Sequence, residues 1–217
     1  MGAAGREWDM RAFQRLATAI TGAALLTVSA AAAAPAATVH QATGHATRVQ
    51  VQGGHTTVTT APGIADALIS HHIIPTAIPP GTEHVRHTKS GVIVKFRFPV
   101  TGGKVSLNPL GGNIRHRGGI LFSDPKTGKK IAVSNFTISL THQVLTGIVN
   151  GNPHARVPLF HLGLAHAVLK AHHHWVTARG IVLRLTKTAA TALNTTFATT
   201  LFKPGLKIGT AVTKIRI

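Results

Sequence analysis

The chain has 217 residues, with 23 Lys and Arg against five Asp and Glu, a formal charge of +18, 15 His, no Cys and no Tyr. Apolar residues make up 44% and charged residues 13%, which is the composition of a packed domain and excludes a disordered polycation. The absence of Cys excludes disulfides, thiol nucleophiles and a lipid-modified cysteine, while the charge speaks to anionic partners rather than to fold.

Residues 1–37 read as an export signal. Arg6, Arg11 and Arg15 form a basic front, Leu16 to Val28 an apolar run, and Ser29 to Ala37 a small-residue exit with competing cleavage positions within 30–37. The alternative is an uncleaved N-terminal membrane anchor over Leu16 to Ala34, although Ala, Thr and Gly dilute its hydrophobicity. Removing 1–37 also removes Glu7 and Asp9, so 20 Lys and Arg face only Asp66, Glu83 and Asp124, a net +17.

Residues 38–54 are polar and punctuated by glycine, and predict a flexible N-terminal segment with a short strand near Arg48 to Gln52. A single β domain follows over 55–217. Period-two alternation marks Gly91 to Val100, where Val94, Phe96 and Phe98 oppose Lys95 and Arg97, and it recurs over Asn135–Thr141, Gly180–Leu185 and Thr210–Ile217. Turn signals separate these runs at Thr101–Gly103, Pro109–Gly112, Asp124–Gly128 and Asn150–Pro153. The fold class is therefore all-β, an antiparallel sandwich or barrel. Two short helices are expected at about 62–70 and 188–197; their segments TAPGIADAL and LTKTAATAL resemble each other and suit plugs for the two ends of a barrel.

Counting argues against an enzyme. Paired-carboxylate chemistry and a Ser-His-Asp triad both need positioned acids, and of the three left, Asp66 suits a helix start and Asp124 a turn. The histidines cluster at His71-His72, His84 with His87, His161 with His166, and His172-His173-His174. Imidazoles bind Zn, Cu, Ni or haem iron, and His172 and His174 are the candidate metal ligands. Consecutive strand residues alternate faces, however, so a solvated polar loop is the better reading of the triplet. Protonating all 15 would raise the charge from +17 toward +32, which suits an acidic habitat without any ligand. Nucleic acid is the usual partner of so basic a chain, but export and the lack of Tyr stacking platforms turn the expectation to anionic cell-wall polymer or an acidic lipid surface.

The stretch FPVTGGKVSLNPLGGNIRHRGGILF, residues 98–122, resembles the HtaA-type domain of secreted actinobacterial proteins, most specifically over 112–121. VSNFTISL, LTGIVNG, RVPLF and LTKTAATALNTTF look like that domain's remaining strands and late helix. The resemblance implies an all-β domain, exported or wall-associated, that binds haem through a tyrosine supported by a motif histidine. His116 stands in the histidine's place; no tyrosine exists, so His71 or His72 would have to substitute. The expected function is a secreted or envelope-associated, basic, non-catalytic binding protein contacting anionic surface polymers. The alternative is a haem or transition-metal module.

Overall fold

A computed structural model describes residues 48–217. The expected export signal, its cleavage region and most of the segment 38–54 lie outside the described residues. Among the described residues no helix is long and apolar enough to cross a membrane.

Thirteen strands and two helices follow in order: β1 (Val49–Val51), β2 (Gly53–Thr60), α1 (Ile64–Ser70), β3 (Ile74–Ile78), β4 (Thr82–Thr88), β5 (Gly91–Leu107), β6 (Leu110–His116), β7 (Gly119–Ser123), β8 (Lys130–Ser139), β9 (Val144–Val149), β10 (Arg156–Gly163), β11 (Val168–His172), β12 (Trp175–Leu185), α2 (Lys187–Phe197) and β13 (Lys207–Arg216). All pairings are antiparallel, and β5-β2-β13-β12-β10-β9-β8-β6 returns to β5, closing an eight-stranded barrel. The remaining strands extend its rims: β1 and β4 on β5, β7 on β8, β3 on β7, and β11 on β12. Of the two architectures the alternation allowed, closure selects the barrel, which leaves no open edge along the ring.

The alternating runs behave as half-buried strands. Phe96 and Phe98 on β5, Phe136 and Ile138 on β8, Ile181 and Leu183 on β12, and Ala211 and Ile215 on β13 fill the interior. Phe98 meets Phe136 edge-on at 5.0 Å across it.

The expected turn at Thr101–Gly103 is instead continuous strand. β5 runs 17 residues through it, with a bulge between Val100 and Gly102 in its pairing with β6, which takes over the edge that β4 pairs earlier in the strand. Gly103 reads as a breaker in sequence, yet its φ of 147° and the collision a Cβ there would have with the Asn113 carbonyl make it the residue that lets β6 close in.

Helix α1 and helix α2 fall where expected, but they do not plug opposite ends. Thr60, which ends β2, pairs with Gly209, and Gly209 pairs with Leu183 two residues from the end of β12. The chain therefore leaves β2 and β12 at the same end, and both helices cover that end. α1 closes with His72 at φ 59°, the amides of His72 and Ile73 returning to Ile69 and Leu68, so the histidine occupies the left-handed position that ends the helix. α2 starts on Thr186, whose hydroxyl accepts from the Ala189 amide at 3.1 Å, and ends with Ala198 at φ 51°.

Candidate functional site

Three concave regions compete. The first lies inside the barrel under α1, a cavity of about 70 Å³ whose wall includes Phe96, Phe98, Phe136, Ile64 and Leu68, with His116 and Thr56 its polar members apart from Thr60. His116 ends β6, is 4% exposed, and is the one buried histidine among the described residues. Its Nε2 is 2.8 Å from Thr56 Oγ1, and that hydroxyl is 2.9 Å from Thr213 Oγ1 on the neighbouring strand. Nδ1 has no hydrogen-bond partner. Burial pushes the imidazole down to about 4, while the carbonyls of Phe136 and Ile114 pull weakly the other way without closing a hydrogen bond on Nδ1.

A second interior cavity, about 40 Å³, sits beyond Thr213 and is bounded by Leu107, Leu110, Leu140, Leu164 and Leu169. The polar trio thus forms a waist between two apolar cavities.

The residues present do not fit a haem around His116. The cavity it faces is far below the several hundred Å³ of an ordinary ligand pocket, and its Nε2 is already engaged. His71 and His72 are exposed after α1 and line neither cavity, so the structure does not join them to His116. His172 and His174 are also exposed, in the β11–β12 hairpin, where the His172 and His173 rings meet edge-on at 4.1 Å. Among the described residues no three His, Asp or Glu side chains converge as a metal requires.

The third region is an outer groove of about 450 Å³ across β1, β5, β6 and β8. Strand register builds it. Gln50 pairs with Lys104, Lys104 with Asn113, and Asn113 with Ser139, so one row of outward side chains crosses four strands. Two residues along the same faces stand Arg48, Arg115 and Thr137, with Thr141 and His142 beyond Ser139. Thr141 Oγ1 accepts from the Gly112 amide at 3.2 Å, and the His142 amide donates to Ser139 Oγ at 3.3 Å, fixing this rim. No carboxylate lines the groove.

The three acids of the described region are occupied elsewhere. Asp66 accepts from the Val92 amide at 3.0 Å, Glu83 from the Ala77 amide, and Asp124 from the Lys126 amide at 2.8 Å and the Thr127 hydroxyl at 2.7 Å. The Thr127 hydroxyl in particular holds Asp124 below the usual carboxylate range. None lines either interior cavity, so no carboxylate stands beside His116 to make an acid-base pair.

Sequence reading missed the groove. Its residues come from segments as far apart as Arg48 and His142, and only the pairing register brings them together. The available signal was weak: Asn113 and Arg115 alternate with buried Ile114, as Lys104 precedes buried Val105.

No protein-family model matches the chain, and no curated protein does. Among solved structures it is similar to the C-terminal domain of HtaA from Corynebacterium glutamicum, with a TM-score of 0.50 and 14% identity, over 77% of this chain and 98% of that one. It also aligns with a domain-swapped dimer of a histidine-to-alanine variant of that domain at a TM-score of 0.44 and 18% identity, over 64% of this chain and 85% of that one. The barrel with two short helices is thus an HtaA-like fold.

Proposed function

We propose that the protein is an exported, non-catalytic binding domain that holds anionic polymers of the cell envelope. The observation that supports this reading is the state of its charges. All three acids of the described region are engaged with backbone amides, while 20 Lys and Arg leave the domain at +17. Such an excess repels itself in the free protein, and a polyanion relieves the repulsion while releasing its own counterions. Export, read from residues 1–37, supplies the setting and directs the charge toward wall polymer instead of nucleic acid.

The test is retention on isolated cell wall, or on an immobilised polyphosphodiester, across a salt series. Release between about 0.05 and 0.5 M salt is expected for an interaction built on many exposed cations. Passage through the matrix at low salt would overturn the reading.

A further inference from the structure

We infer that the outer groove across β1, β5, β6 and β8 is the binding site for a hydroxyl-bearing polyanion, a linear polymer of polyol or sugar units joined by phosphodiesters. The inference rests on the proposed polyanion-binding function and locates it.

Four features of the groove select that chemistry. Its permanent charges are all positive: Arg48, Lys104 and Arg115 line it, with His142 at one end and no carboxylate. Between the cations stand neutral groups that donate and accept, Gln50 and Asn113 amides and the Ser139 and Thr137 hydroxyls, which match polyol hydroxyls between anionic links. The row from Gln50 to Ser139 crosses three strand spacings, about 14 Å, long enough for more than one repeat. Its 450 Å³ lies within the range of real ligand sites, unlike the interior cavities.

The same features disfavour other polyanions. No Phe or Trp lines the groove, so nucleobases find no stacking platform. Nor does an apolar side chain line it, so a lipid headgroup would gain no acyl contact inside it.

Arg115 is free to act because its strand is held by backbone, with the Thr101 hydroxyl donating to the Arg115 carbonyl at 3.3 Å. Arg156 lies at the groove's margin and is already committed, donating to the Asn135 carbonyl at 3.0 Å and the Thr137 and Thr146 hydroxyls at 3.4 and 3.3 Å. It braces Thr137 and is not counted among the binding cations.

The experiment compares two triple variants of equal charge loss. Arg48→Gln/Lys104→Gln/Arg115→Gln empties the groove, and Lys126→Gln/Lys129→Gln/Lys130→Gln removes three exposed cations from the β7–β8 loop and the start of β8. Binding of poly(glycerol phosphate), inorganic polyphosphate and phosphatidylglycerol vesicles is measured over a salt series, with melting curves checking that both variants fold. The groove variant is expected to lose at least about tenfold in affinity for poly(glycerol phosphate) and about 2 from the log–log salt slope, the control much less. Asn113→Ala is expected to weaken poly(glycerol phosphate) binding several-fold while leaving polyphosphate unchanged.

Equal losses in the two triples would overturn the groove assignment while leaving diffuse polyanion binding intact. No binding of either polymer by the unaltered protein would instead overturn the proposed function. Binding to vesicles without binding to soluble polymer, or an Asn113→Ala effect shared by both polymers, would overturn the ligand class.

Discussion

His116 Nε2 and Thr56 Oγ1 lie 2.8 Å apart in the middle of the barrel, although the residues are 60 positions apart in sequence. The pair is a polar contact within a largely apolar interior, and Thr213 extends it to a third strand. A buried polar group is costly when its partner is removed and nearly neutral when both are replaced. Thr56→Val is therefore expected to cost about 1–3 kcal/mol, and Thr213→Val about 1 kcal/mol because Thr56 still reaches the imidazole. Thr56→Val/His116→Leu should recover part of the loss; urea unfolding of the wild type, Thr56→Val, His116→Leu and the double variant measures it, and simple additivity would contradict this reading.

The same imidazole makes stability depend on pH. Its value in the folded protein is about 4, against 6.5 for the exposed group, so between these values the unfolded chain binds the additional proton. Stability is complete above about pH 6.5 and falls as the pH drops toward 4, by about 3 kcal/mol in total. His55, depressed by partial burial and then by Arg97 and Lys214, acts in the same direction. Unfolding midpoints at pH 7 and 4.5 test this, and His116→Leu should flatten the profile. A wild-type profile flat over that range would contradict it.

His72 and Ala198 hold left-handed positions at the ends of α1 and α2, with φ of 59° and 51°. Glycine takes this conformation without the steric cost paid by a side chain. His72→Gly and Ala198→Gly should each raise stability by about 0.5–1 kcal/mol, visible as a higher melting temperature. His72→Gly also removes a histidine first considered as a haem ligand. A loss of stability in both would show that the caps are assigned wrongly.

The small cavity beside His116 predicts the outcome of adding haemin. At about 70 Å³ it cannot admit a porphyrin without opening the barrel. Haemin titration should give no Soret band that disappears in His116→Ala. Such a band would revive the haem reading and require α1 to move.

Much of the barrel was legible because burial on one face writes period two directly into the chain, as at Val94, Phe96 and Phe98. The bulge at Val100–Gly102 was not, since a glycine pair that allows close strand approach looks like one that makes a turn. Placement of both helices at one end was hidden for a different reason. It follows from the parity of strands between β2 and β12 around the ring, which no local pattern encodes. His116 was visible as a candidate through its motif, but its burial depends on Thr56 and Phe136, which only closure brings near. The groove was least legible, since exposed Lys104 and Arg115 carry no periodic signal to distinguish them from other surface cations.

The central claim, an envelope domain that binds polyanions through unpaired surface cations, is tested most directly by the salt dependence of its affinity for a soluble phosphodiester polymer. The account predicts tight binding near 50 mM salt and a linear fall of log affinity with log salt, with a slope of about −2 or steeper. No binding at 50 mM salt, or an affinity indifferent to salt, would contradict it.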